Sequence, residues 1–138
     1  MSIFENSTLG VSAVSAESSV GKAVSTRSNI FEMTQLAESA VLRPMEYGMF
    51  PHDVRAALAY RIAISAGETR LAEYYAALAG DKFNLSDYIM IEGEPESTLI
   101  PFVDKAANDT KNIVAEDISK LQAVGVSDAD IVRLCELI

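Results

Sequence analysis

Residues 50–78 decide the fold of this chain, and they read FPHDVRAALAYRIAISAGETRLAEYYAAL. Pro51 suits the first turn of a helix, and the carboxylate of Asp53 suits the positive end of the helix dipole. Apolar residues then recur at helical spacing on one side, namely Val54, Leu58 and Ile62, with Ala57 and Ile64 widening the stripe. The first half of the stretch therefore predicts an amphipathic helix.

A second helix follows the first without a long loop. Gly67 interrupts the periodicity, which resumes over Glu68–Leu78, and Gly80 stands where a C-terminal cap is expected. The apolar positions of this segment are Leu71, Ala72, Tyr75 and Leu78. Because a short connection joins antiparallel neighbours, the stretch predicts a helical hairpin.

Helical periodicity continues upstream of the hairpin. Asn29 and Glu32 have the spacing of a capping box, although Asn makes the match loose, and Pro44 ends the run near Leu42. The apolar residues that recur at helical spacing are Ile30, Met33, Ala37, Ala40 and Val41. We therefore expect a helix from residue 29 that ends near Leu42 or Arg43.

Three more helices are predicted downstream. One covers residues 99–107, the next covers 114–124, and Ser127 with Asp130 is a start signal for the last. Apolar positions in the last two are Ile118, Leu121, Ile131, Leu134, Cys135 and Ile138. The apolar run 88–91 is too short to build a sheet, so the predicted fold class is all-α.

The first 28 residues differ from the rest of the chain. Residues 1–28 are rich in Ser and small residues and hold no sustained period of 3.6 or 2. We interpret them as a flexible N-terminal tail and residues 29–138 as one helical domain. The alternative is a poor helix around 11–24 that a partner orders.

Composition excludes several function classes. The chain has 138 residues, 11 Lys plus Arg and 20 Asp plus Glu, which gives a net charge of −9. Such a charge disfavours a phosphate-backbone binder, and the basic residues form no contiguous run. We find no apolar block suited to a secretory signal or a membrane span, so we expect a cytoplasmic protein.

The last helix stops while its apolar stripe is still running. The C-terminal residues are apolar and are followed by no Gly, Asn or basic cap; they are Leu134, Cys135, Leu137 and Ile138. Two explanations compete with simple packing of Ile138 on its own core. Either the helix continues in a longer protein, or this face packs against another subunit. We expect a homo-oligomer through this C-terminal helix.

Residues 50–63 and 67–75 resemble the core hairpin of the carboxymuconolactone decarboxylase and alkylhydroperoxidase D-like superfamily. The phrase Gly125–Val132, GVSDADIV, also resembles a turn in that family that leads into a long helix. The resemblance covers roughly residue 29 to the end. It implies an alkylhydroperoxidase D-like helical bundle around the hairpin and, as an inherited label, an antioxidant peroxidase.

The family's redox members carry a CxxC pair at the start of the second hairpin helix, followed by a histidine. A thiolate there attacks the peroxide, and its neighbour resolves the sulfenic acid as a disulfide. Aligning Gly67 puts Glu68 and Leu71 at the cysteine positions and Tyr74 and Tyr75 near the histidine. The resemblance therefore implies that the thiol site is absent. The single thiol, Cys135, is interpreted as a small buried apolar residue.

The family's decarboxylase branch implies acid–base chemistry instead. The catalytic candidates are His52, Glu68 and Tyr75, and Arg55 or Arg61 could hold a substrate carboxylate. Asp53 and Tyr74 are further candidates, but Tyr74 and Tyr75 are adjacent and are expected to point to different sides of their helix. The competing interpretation makes His52, Asp53 and Glu68 ordinary first-turn residues and Arg61 a snorkelling or paired charge.

The sequence contains no motif for a metal ion or another cofactor. One His and scattered carboxylates give no metal-ligand spacing, and the solitary glycines form no phosphate loop, so we expect no metal or cofactor. Three functions remain: an oligomeric module with little or no catalysis, an acid–base decarboxylase for a small carboxylate, or a peroxidase whose cysteines lie outside this chain.

Overall fold

A computed structural model describes residues 2–82 and 98–138 of the protein, and within these residues it is helical and contains no strand. The fold is therefore all-α, as the periodicity predicts. The predicted short apolar run 88–91 lies outside the described residues. The α-helices are α1 (Ser7–Val11), α2 (Ser19–Ser25), α3 (Ser28–Leu42), α4 (His52–Ser65), α5 (Thr69–Ala79), α6 (Leu99–Asn108), α7 (Ala115–Ala123) and α8 (Asp128–Leu137).

Helices α4 and α5 form the predicted hairpin and are the most extensively paired helices described. Pro51 is the N-cap of α4, and α5 ends at Gly80. Gly67 lies in the turn with φ of 78°, where a side chain would be strained. Ile64, expected on the buried stripe, is instead exposed: it lies on nearly the same side as buried Ala57 but in the last turn of α4.

The core is built around α4. Its buried stripe packs against α6, α7 and α8, and partly buried residues such as Leu78 and Ile118 close the sides. Fully enclosed members are Ala57, Leu58, Ala72, Leu99, Val103, Leu121 and Leu134. Small alanines on α4 allow the neighbouring helices to approach closely, so the hairpin is the centre of the domain.

Helix α3 has the predicted extent, but its recurring apolar residues mostly face solvent. Its inward positions are Phe31, Gln35, Glu38 and Leu42, of which Leu42 is buried. Of the recurring apolar residues, Val41 is partly buried and the others, Ile30, Met33, Ala37 and Ala40, are exposed. The capping box is wrong, because the N-cap of α3 is Arg27 and no side chain caps the helix.

Parts of the N-terminal 28 residues are helical, namely α1 and α2. Asn6 caps α1 by accepting a hydrogen bond from the Leu9 amide at 2.8 Å, and Leu9 is buried. Ser18 caps α2 in the same way. Short polar caps compensate for the weak helix propensity of this Ser-rich stretch. Helix α1 lies against α3 and α5, which places Ser7 beside the hairpin.

A buried arginine holds the connector between α3 and α4. Arg55 is only 2% exposed, and its guanidinium donates to the carbonyls of Phe50, Val41 and Tyr47 at 2.8, 2.8 and 3.1 Å. Burial, and then the nearby charge of Arg133, lower the pKa of Arg55. The side chain thus ties the end of α3 and the connector to α4 through buried and partly buried carbonyls.

Helix α8 begins as predicted. The Ser127 hydroxyl accepts from the Asp130 amide at 3.1 Å, which is the expected N-cap bond. Ile131 and Leu134 are buried in the core, and Leu137 and Ile138 pack against it. Cys135 is exposed, so its assignment as a buried residue is wrong: it lies one step around the helix from Leu134, on the solvent side.

Candidate functional site

The three predicted catalytic residues do not form one site. His52 starts α4, and Glu68 precedes α5, so the antiparallel hairpin places them at opposite ends. Their separation along the hairpin is about 20 Å at the α-helical rise of 1.5 Å per residue. Tyr75 lies between them, near the middle of α5. A single reaction centre that uses both His52 and Glu68 is therefore excluded.

His52 contacts the connector rather than a pocket. Its Nε2 lies 2.8 Å from the Pro44 carbonyl oxygen, and its ring meets Tyr47 edge-on at a centroid distance of 5.7 Å. The residue is exposed, and its side chain does not cap α4. These contacts describe a side chain that helps to fasten the chain entering α4.

Glu68 occupies the N-cap of α5 and is exposed. Its side chain accepts no capping hydrogen bond, so its carboxylate acts on the helix through charge alone. Leu71, three residues further on, is partly buried. A cysteine pair at these two positions would begin a helix at its positive end, which is where thiolates are stabilised. In this chain the two positions hold a carboxylate and an aliphatic group.

Tyr74 and Tyr75 lie together, contrary to expectation. Their rings meet at an angle of 62° with centroids 5.3 Å apart. Both phenols are near the carboxylate of Glu38 on α3. Although adjacent Cα–Cβ bonds diverge on a helix, long aromatic side chains can bend toward a shared neighbour. The expectation that they would not share a site is therefore wrong.

Glu38 is the centre of this arrangement. The Ser7 hydroxyl donates a short hydrogen bond to its Oε2, and the Ser7 amide donates to Gln35 Oε1 at 2.9 Å. Helices α1, α3 and α5 thus each contribute polar groups to one place. We refer to Ser7, Gln35, Glu38, Tyr74 and Tyr75 as the tyrosine–glutamate cluster.

The surroundings of Tyr74 and Tyr75 raise the pKa of both phenols. Burial, followed by the charge of Glu38, raises the pKa of Tyr75 to about 12. The same two causes raise the pKa of Tyr74, while the nearby cation of Arg43 opposes them. Two neutral phenols beside a carboxylate can donate hydrogen bonds at neutral pH, and the carboxylate can accept a proton.

Both arginines that could hold a substrate carboxylate already bind other groups of the protein. Arg61 makes two hydrogen bonds of 2.7 Å to the Asp104 carboxylate, as the paired-charge interpretation predicted. That bond, ahead of other causes, raises the pKa of Arg61. Arg55 is buried and binds three carbonyls, so both guanidinium groups already have partners within the protein.

A groove adjoins the cluster. It has a volume of about 430 Å³ and runs between the start of the chain and α3, with Ile3 and Leu36 as apolar walls and Asn6 and Gln35 at its inner edge. Gln35 and Asn6 already bond to the Ser7 amide and the Leu9 amide. In residues 2–82 and 98–138, no group of three His, Cys, Asp or Glu side chains could hold a metal ion.

Ser7, Gln35 and Glu38 are absent from the sequence-based candidates. A signal for two of them exists, since Phe31, Gln35, Glu38 and Leu42 follow the i, i+4, i+7, i+11 spacing of one helix face. Polar residues between apolar ones on such a face indicate a buried polar contact. Ser7 carries no comparable signal, because it lies in a stretch without periodicity.

Comparisons with protein-family models, with curated proteins and with solved structures find no match to the chain. Across the described part of the chain, none of the helices combines the length and the apolar character needed to cross a membrane.

Proposed function

We propose that this protein is a self-associating helical module of the alkylhydroperoxidase D-like kind that works without a redox cysteine pair. Two observations support the kinship: the all-α fold and the tight α4–α5 hairpin with its turn at Gly67. The family's peroxidase label then does not extend to chemistry performed by this chain.

One observation carries the absence of thiol chemistry. Position 68 is the N-cap of α5, which is where a helix stabilises a thiolate, yet it carries the exposed Glu68. Leu71 stands at the resolving position. Cys135, the only cysteine of the 138 residues, lies on α8 in another part of the fold. It has no second thiol with which to close a disulfide.

Grafting tests whether the hairpin is a thiol-peroxidase scaffold. In a Cys135→Ser background, Glu68→Cys and Leu71→Cys together place two thiols one turn apart at the start of α5. Tyr75→His adds the family's histidine. We expect the pair to close into a disulfide under mild oxidant and to reduce an alkyl hydroperoxide in the presence of a dithiol.

A matched graft provides the control. Glu116→Cys with Ser119→Cys has the same spacing at the start of α7, where no redox site is proposed. We expect no peroxide turnover from it. If the α5 graft forms no disulfide, or is no more active than the α7 graft, the assignment of the hairpin to this scaffold is wrong.

A second candidate function rests on the tyrosine–glutamate cluster. Glu38 lies between a serine hydroxyl and two neutral phenols, and Arg43 is close enough to affect Tyr74. This combination suits an acid–base enzyme acting on a small carboxylate, with Glu38 in place of the predicted His52 or Glu68.

Decarboxylation measurements test this candidate. CO₂ release from a panel of small β-keto and lactone carboxylates is expected to be lost in Glu38→Gln and kept in the exposed-site control Glu68→Gln. Absence of CO₂ release from every member by the unaltered chain would exclude this function and leave the module without catalysis.

A further inference from the structure

Helix α3 presents an apolar strip to solvent. The strip consists of Ile30, Met33 and Leu36, which are 47, 65 and 70% exposed, together with exposed Ala37 and Ala40. It follows the 3.6-residue period along one side of the helix. Contiguous apolar residues of this kind form a candidate interaction surface, whereas single exposed apolar residues do not.

The strip cannot turn inward, because the opposite side of α3 is already held. Glu38 accepts a hydrogen bond from Ser7, Gln35 accepts from the Ser7 amide, and the Phe31 carbonyl accepts from Asn6. Leu42 is buried on the same inward side. The orientation of α3 is therefore fixed by its own chain, and among residues 2–82 and 98–138 none covers the strip.

We propose that the strip binds the same strip of a second copy, with the two α3 helices antiparallel. The strip carries its large residues in its N-terminal half and its alanines in its C-terminal half. An antiparallel copy centred near residue 35 sets Ile30 against Ala40 and Met33 against Ala37. Each large side chain then lies opposite a small one, and the two-fold symmetry repeats both pairs. This is the self-complementarity that a two-fold interface requires.

Charge complementarity favours the same arrangement. Glu32 and Arg43 are both exposed and lie on the same border of the strip. Antiparallel pairing brings the border that carries Glu32 in one copy beside the border that carries Arg43 in the other. Each acidic group therefore gains an opposite charge near the edge of the contact, where rim charges set orientation.

The contact is small, so the dimer depends on concentration. Three large aliphatic side chains offer about 300 Å² per copy, below the roughly 800 Å² per partner of a stable interface. Met45, 99% exposed just beyond α3, can extend it. This inference rests on the proposed self-association of the module. It places the contact surface on α3 instead of α8, because the apolar face of α8 packs on the core of its own chain.

Sedimentation velocity from about 5 to about 500 µM tests the proposal. We expect the unaltered chain to shift from monomer to dimer over this range and Met33→Asp to remain monomeric with an unchanged helical circular dichroism spectrum. Val132→Asp is the matched control, because Val132 is an exposed apolar residue of α8 with 58% exposure. A monomer at every concentration, or a dimer that Val132→Asp abolishes and Met33→Asp does not, would overturn the proposal.

Disulfide trapping tests the direction of the pair. In a Cys135→Ser background, Leu36→Cys places two thiols about 3 Å apart along the axis, whereas Ile30→Cys separates them by about 15 Å. We expect Leu36→Cys to cross-link and Ile30→Cys to cross-link only when mixed with Ala40→Cys. Equal cross-linking of both single variants would indicate a parallel pair and contradict the antiparallel arrangement. Peroxide turnover is measured separately, so failure of the dimer leaves the thiol question unaffected.

Discussion

The backbone amide of Met49 donates a hydrogen bond of 3.0 Å to Oδ1 of Asp130. These residues are 81 positions apart, so the bond joins the connector before α4 to the start of α8. The same carboxylate accepts from Ser127 and from Arg133, and Asp130 is buried. One side chain thus holds the N-cap serine of α8 and fastens the connector before α4, so the fold is expected to be sensitive to its replacement.

Asp130→Asn is expected to destabilise the protein. Burial raises the pKa of Asp130, but the hydrogen bonds from Met49, Ser127 and Arg133 together outweigh it and hold the pKa below the ordinary value. The amide weakens charge-assisted bonds worth about 1.5–3 kcal/mol each when intact. Urea unfolding at neutral pH measures the loss. A midpoint equal to that of the unaltered chain would contradict the role given to this carboxylate.

The pH dependence of stability follows from the same shift. Because the folded pKa of Asp130 lies below the unfolded one, its contribution is present above the ordinary carboxylate pKa of about 4 and is lost as the pH falls through the folded pKa. The stability difference between the unaltered chain and Asp130→Asn is therefore expected to shrink in acid. A difference that grows below about pH 4 would contradict this sign.

Gly48→Ala is expected to cost more than Gly67→Ala. Both glycines have positive φ, of 58° and 78°, so each substitution carries about 1–2 kcal/mol of backbone strain. At Gly48 the new Cβ would also lie 2.1 Å from Asp130 Oδ1, whereas nothing lies within 4 Å at Gly67. Urea midpoints measure both variants. Equal losses would show that the close approach of Gly48 to Asp130 is unimportant.

Arg55→Met is expected to destabilise the fold strongly. It removes the donor to the carbonyl oxygens of Phe50 and Val41, and each buried group left unpaired costs about 1–3 kcal/mol, whereas the Tyr47 oxygen keeps its bond from the Phe50 amide. Arg61→Met is the control, because its ion pair with Asp104 is about 40% exposed and such pairs contribute under about 1 kcal/mol. Thermal and urea unfolding should show a much larger loss of stability for Arg55→Met than for Arg61→Met. The reverse order would contradict the structural role given to Arg55.

Glu38→Gln is expected to lower the pKa of Tyr75 from about 12, though not fully to the ordinary value, because burial is the larger cause. Phenolate absorbance at 295 nm follows the titration, and Tyr75→Phe identifies the contribution of this residue. Since the raised pKa favours the neutral phenol in the folded state, its stabilisation is present below about pH 10 and is lost towards pH 12. An unchanged titration in Glu38→Gln would separate Glu38 from the tyrosines.

Periodicity predicts the helices of the hairpin and α3 but not every buried face, for a physical reason. In α4 the buried residues include the unbroken run from Val54 to Ala59, so the predicted stripe is only part of a helix that is buried on several sides. Helix α3 carries apolar residues on two sides, Phe31 and Leu42 inward and Ile30, Met33 and Leu36 outward. Spacing finds such a helix but cannot choose its buried face, because hydrogen bonds to distant residues decide the choice.

The candidate site, too, is predicted from the sequence only in part. Tyr75 is predicted from its place in the hairpin, and its neighbour Glu38 is not, since 37 residues and a different helix separate them. The burial of Arg55 is likewise not predicted by the sequence. Its burial depends on carbonyls of the α3–α4 connector, whose course is set by tertiary contacts such as the Met49–Asp130 bond.

The most direct measurement of the central claim is alkyl-hydroperoxide reduction by the unaltered chain with excess dithiol, compared with Cys135→Ser. The account predicts no turnover above the uncatalysed rate from either protein. Saturable peroxide reduction by the unaltered chain that disappears in Cys135→Ser would contradict it, because the exposed Cys135 would then be a working peroxidatic thiol.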